Sequence, residues 1–123
     1  MASQDLIVIK KAKELMHHTL IKSGNCKKFP KKYRHSLVDK MNIKAMDIYD
    51  ALIEANGINK NLYPTRRIAI QTKAITYCEQ LNWYVEESNR LNFINSKEMQ
   101  YWVSLVLNVK HLTIAWRSKE ERK

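Results

Sequence analysis

Glycine and proline are almost absent from this chain, and the four that occur stand where its regular segments break. Gly24 precedes Pro30 and Gly57 precedes Pro64 in a chain of 123 residues. So few turn formers exclude a turn-rich all-β fold and a flexible linker. The length allows one domain, residues 1–123, and no second core.

Three breaks divide the chain into four helical segments. They are Ser23-Gly24-Asn25, the stretch from Asn56-Gly57 to Pro64, and Asn92 to Ser96. Gly24 is expected to end the first helix in the left-handed conformation. That helix spans residues 4–22 behind Ser3 as N-cap, with Leu6, Ile9, Leu15 or Met16, and Leu20 at helical spacing. The second starts at Pro30 and ends at Ala55. Its stripe is Leu37, Met41, Ile48, Leu52 and Ala55, interrupted by Lys44. The third runs from Pro64-Thr65 to about Leu91 on Ile68, Ala74 or Ile75, Cys78, Leu81 and Val85, roughly 40 Å of helix. The fourth begins after Ser96, with Glu98 near its positive end. Met99, Trp102, Val106, Val109, Thr113 and Trp116 form its stripe.

Amphipathic helices of similar length with short connections predict an all-α, antiparallel up-down-up-down four-helix bundle. The fourth helix carries a surplus, Val103, Leu105, Leu107, Leu112 and Ile114. Either its buried face is wide or part of it meets another subunit. Trp102, Leu105, Leu112 and Trp116 are the candidate oligomer-interface residues.

Net charge is +10, and residues 25–44 carry +6 of it. An excess of this size points to a polyanion or an anionic surface as partner. The dense run is Cys26-Lys27-Lys28-Phe29-Pro30-Lys31-Lys32-Tyr33-Arg34-His35. Lys31, Lys32 and Arg34 stand where a helix dipole is positive, so each is mildly unfavourable there. An anion held by these side chains and the first-turn N–H groups accounts for them. A solvated basic edge is the other reading. A second group is Arg66 and Arg67, with Lys73 two turns on. A third is the tail, Arg117, Lys119, Arg122 and Lys123, expected to be flexible from about residue 118. In an up-down bundle these groups need not lie together within one subunit. Tyr33, Tyr63 and Tyr101 are either packing residues or stacking platforms for bases.

Catalytic patterns are missing. Glu14 and His17 make one Glu-x-x-His, but a di-iron bundle needs two with two further glutamates, so no metal is expected. Asp47, Asp50 and Glu54 share one helix face and read as a solvated stripe. There is no phosphate-binding glycine loop, serine elbow or zinc spacing, so neither an enzyme nor a cofactor is expected. Cys26 and Cys78 read as reduced thiols of a cytoplasmic protein. The apolar run Leu6–Ile9 is too short for a signal peptide, and Met99 to Val109 is about half of a membrane span.

The Phe29-Pro30-Lys31-Lys32-Tyr33-Arg34 start of the second helix, followed by Leu37 and Met41, resembles the four-helix-bundle accessory variability proteins of diversity-generating retroelements. So does the later series: Arg66 or Arg67 with Ala69 and Ala74, then Trp102, Val106, Val109 and Ala115-Trp116-Arg117. The resemblance covers about residues 6–118. It implies a homopentameric barrel with a basic surface, without catalytic activity. Such a protein binds the retroelement's reverse transcriptase and RNA or DNA, and supports mutagenic copying of a template RNA into cDNA. The implied setting is the cytoplasm of a bacterium or a phage-infected cell. Lys31, Lys32 and Arg34 match the family's basic second-helix start, Arg66 and Arg67 its third-helix start, and Arg117 its tail. Lys27, Lys28 and Lys73 complete the expected nucleic-acid contacts. The family often has a glycine-rich turn before the closing Trp; His111 to Ala115 contains no glycine. A sister group, the proteins encoded by intervening sequences of bacterial 23S ribosomal RNA genes, shares the bundle. Its Ser-Ile-Pro-x-Asn-Ile-Ala-Glu-Gly pattern does not occur here.

Overall fold

The computed structural model describes residues 3–121, with side chains from residue 7 onward. It has four helices: α1 (Ser3–Ser23), α2 (Asp39–Gly57), α3 (Pro64–Arg90) and α4 (Ser96–Glu121). Each packs on the next and α1 closes against α4, so the architecture is a four-helix bundle. No strand occurs among the described residues, and none of their helices is long and apolar enough to cross a membrane.

The apolar stripes of α2, α3 and α4 are inward as their spacing predicts, except that Ile68 and Met99 are only half-buried and the first inward positions of α3 are Arg67 and Gln71. Met41, Ile48, Leu52, Ala74, Cys78, Leu81, Val85, Trp102, Val106 and Val109 are at most 1% exposed. Each large aliphatic side chain so buried stabilises the fold by about 1.5–3 kcal/mol. Ala45 continues the α2 stripe at the turn where Lys44 interrupts the expected series. In α1 the expected stripe is corrected. The inward positions are Val8, Ala12, Leu15, Thr19 and Ser23, while Leu20 is exposed. Two of these are hydroxyl residues with distant partners. Thr19 Oγ1 accepts a hydrogen bond from Trp102 Nε1 at 3.0 Å, and Ser23 Oγ donates to Asn42 Oδ1 at 2.7 Å. Leu6 and the side chain of Ser3, the expected cap, fall outside the described side chains.

Three helix boundaries differ in mechanism from expectation. Gly24 ends α1 without a positive φ. Its N–H reaches Leu20 O at 3.2 Å, and a Cβ there would stand 3.0 Å from that same carbonyl. The left-handed residue is instead Asn92, φ 64°, at the end of α3. The N–H of Phe93 bonds Ser88 O and that of Asn92 bonds Asn89 O, each at 2.9 Å, which forms a Schellman motif. The N-cap of α4 is Asn95 rather than Ser96. Asn95 Oδ1 accepts from the Glu98 N–H at 2.8 Å, while Glu98 Oε1 accepts from the Asn95 N–H at 3.0 Å, a reciprocal capping box.

The second helix does not begin as regular α-helix at Pro30. That residue is extended (ψ 146°), followed by a 3-10 turn over Lys31–Tyr33 and a π turn over Arg34–Val38. The wide turn brings the consecutive residues Leu37 and Val38 both into the core, at 9% and 8% exposure.

Candidate nucleic-acid interface

Contacts between the connections divide the basic residues between two ends of the bundle. Phe29, buried in the 24–30 connection, meets Phe93 edge-on at 5.5 Å, and Tyr33 meets the same ring at 5.0 Å. The end of α1, the start of α2, the end of α3 and the start of α4 therefore form one pole. Arg67 at the start of α3 pairs with Glu120 near the end of α4, which marks the other. A 27-residue α3 separates them by roughly 40 Å.

At the first pole the loop is held from within. Asn25 Oδ1 accepts from the Lys27 N–H at 3.0 Å, and Asn25 O from the Phe29 N–H at 2.9 Å. With Phe29 anchored in the core, Lys27, Lys31, Lys32 and Arg34 are exposed around it. Lys32 Nζ lies 5.3 Å from the Tyr33 ring centre, and Arg34 Nη2 3.9 Å from Cys26 Sγ. None of these four cations has an ion pair among the described residues. Lys97, exposed in the first turn of α4, joins this pole although it is 63 positions from Arg34. Nothing in the local sequence signals that proximity.

Glu98 bridges two elements at this pole. Its carboxylate accepts from Lys28 and lies 3.5 Å from Lys22 Nζ. Lys28, expected as a free contact, is therefore already matched. The Lys28 ammonium, with help from the Asn95 N–H and Lys22, holds the Glu98 pKa down from 4.5 to about 2. A carboxyl depressed in the folded state contributes stability that is complete above its ordinary pKa and lost as pH falls toward the depressed one. Urea unfolding between about pH 5 and pH 2 is thus expected to show a decline that Glu98→Gln reduces. An unchanged decline in that variant would contradict the assignment.

The second pole differs from expectation. Arg66 is exposed, as is Lys73 on the α3 flank. Arg67 is corrected: it is 6% exposed and works inside the protein. Its guanidinium donates to Ala55 O at 3.1 Å, Ile58 O at 2.8 Å and Glu120 Oε1 at 2.8 Å, and stacks 4.9 Å from the Trp116 ring. It satisfies the end of α2, so it is not available to phosphate. Arg117 is partly covered, with Nη1 3.3 Å from Thr72 Oγ1 and Nε 3.4 Å from Glu121 Oε1. The flexible tail expected from residue 118 is helical through Glu121; Arg122 and Lys123 lie outside the described residues.

The interface expectation for α4 is corrected in the same way. Trp102 and Trp116, 1% and 3% exposed, are core residues of the bundle. Leu105 and Leu112 are half-buried beside the core. Leu105 lines a groove of about 300 Å³ with Glu14, His17, His18, Ile21 and Tyr101. Burial, then Lys22 and His17, lower the His18 pKa. Its ring packs edge-on to Tyr101 and Trp102. Among the described residues no three His, Cys, Asp or Glu side chains gather to hold a metal. Cys26 and Cys78 are both free thiols, and burial pushes Cys78 up to about 12. Asp50 and Glu54 are exposed on α2. Comparison of the chain with protein-family models, curated proteins and solved structures finds no match.

Proposed function

We propose that this chain is a non-catalytic adaptor that binds the phosphate backbone of nucleic acid at the Lys27–Arg34 pole. The observation that carries this reading is the set of four exposed cations, Lys27, Lys31, Lys32 and Arg34, on an internally anchored loop, none of them in an ion pair among the described residues. Mutual repulsion makes such a cluster costly alone and favourable beside a polyanion. The resemblance supplies the setting: an accessory protein of a diversity-generating retroelement, working beside its reverse transcriptase. A reverse-transcriptase gene and a template/variable repeat pair beside the coding sequence would support that setting. A reading frame inside a ribosomal RNA gene would move the chain to the sister group. A ring of copies is part of the same proposal, with Leu105 and Leu112 rather than the two tryptophans at its contacts. A monomer in sedimentation at assay concentration would remove that part.

The binding test is a salt titration. On duplex DNA, log K is expected to fall with log salt by about 0.9 per neutralised phosphate. Changing Lys31, Lys32 and Arg34 together to Gln is expected to lower that slope by about 2–3 and weaken unrelated sequences equally, because phosphate contacts carry no base information. Unaltered affinity in the triple variant, or a flat salt response in the parent, would overturn the assignment.

A further inference from the structure

Three aromatic rings are exposed enough among the described residues to receive a ligand: Tyr63 at 59%, Trp83 at 76% and Tyr101 at 58%. Their electrostatic surroundings differ. Trp83 stands with two acids, Glu79 and Glu86, against one cation, Lys110, and Tyr101 borders the groove containing Glu14. At the Lys27–Arg34 pole, Tyr33 is half-buried, with the edge of Phe93 and the Lys32 ammonium against its ring. Of the three, Tyr63 is the ring with a cation three residues away on each side in sequence, and Glu120, an acid at this pole, is taken up by Arg67. From Ala55 through Cys78 the chain contains no Asp or Glu, while Lys60 and Arg66 flank the tyrosine and are exposed.

The loop presenting Tyr63 is built from beneath. Asn59 Oδ1 accepts from the N–H groups of Asn61 at 2.8 Å and Leu62 at 3.1 Å. The Tyr63 N–H donates to Asn59 O at 2.9 Å, and Arg67 holds Ile58 O at 2.8 Å. These bonds leave the side chains of Leu62 and Tyr63 outward, at 68% and 59% exposure. A preordered aromatic face on a segment that also carries the exposed Lys60 and Arg66 matches a nucleotide whose base is unstacked and whose phosphates flank it. A base inside a duplex has no free face to offer.

We propose that the 58–66 segment is a second nucleic-acid contact selective for single strands, a base stacking on Tyr63 while Lys60 and Arg66 neutralise adjacent phosphates. This rests on the phosphate-binding reading of the opposite pole and adds to it a preference for unpaired substrate.

The test compares a fluorescent U20 RNA with a 20-base-pair DNA duplex on the full chain, by anisotropy. Tyr63→Ala is expected to weaken U20 about tenfold and the duplex less than about twofold, whereas Tyr63→Phe, which keeps the ring, retains parental affinity. Because the loop's bonds to Tyr63 are through its backbone, both variants should melt with the parent. Arg66→Ala is expected to lower the U20 salt slope by about 0.7. No loss on U20, or equal losses on both probes, overturns this inference. If the triple variant at the other pole still weakens both probes in that case, the phosphate-binding reading stands without it. Failure of the parent to bind either probe removes both.

Discussion

Arg67→Ala is expected to lower the unfolding free energy by about 3–5 kcal/mol, while Arg66→Ala changes it by less than about 0.5 kcal/mol. The two arginines are neighbours in sequence and opposites in environment. Arg66 is exposed, whereas Arg67 is buried with its guanidinium on three backbone carbonyls, the Glu120 carboxylate and the Trp116 ring. Truncation would leave Glu120 charged at 9% side-chain exposure and the end of α2 without its donor. Arg67→Lys should recover only a minor part, because an ammonium lacks the planar fork that reaches several acceptors at once. Glu120→Ala should cost less than Arg67→Ala, since Arg67 would keep its carbonyl partners. Urea denaturation of the four variants is the measurement. A loss below about 1 kcal/mol for Arg67→Ala would return this residue to the surface.

Trp102→Ala is expected to cost about 3–5 kcal/mol, in the range seen for deleting a buried aromatic ring. Trp102 is 1% exposed, and its Nε1 donates to Thr19 Oγ1 across the α1–α4 contact. The bond has its own signature. Thr19→Val keeps the volume but removes the acceptor, which should cost about 1–3 kcal/mol for the buried indole N–H left behind. If Trp102→Ala were nearly neutral in stability but dissolved an oligomer, the tryptophan would be an interface residue after all.

In α2, and in α3 and α4 apart from Arg67, Gln71, Ser88 and Thr113, the inward residues are apolar and recur at helical spacing, which makes these helices legible. In α1 the inward face keeps Leu15 but is rotated toward Val8, Ala12, Thr19 and Ser23. Thr19 and Ser23 look like outward residues until Trp102 and Asn42, 83 and 19 positions away, are brought to them. The surplus on α4 was visible in outline, but not that both tryptophans would turn inward.

The basic cluster of residues 25–44 could be counted directly from the chain. Its ordered presentation depended on Phe29 finding Phe93, and its partial neutralisation on Glu98 reaching Lys28 and Lys22.

Helix number, helix direction and the uneven spread of charge follow from the order of residues, because local periodicity and counting suffice for them. Which cations face solvent does not. Adjacent helical positions point about 100° apart, so packing between distant helices turned Arg67 inward and left Arg66 at the surface.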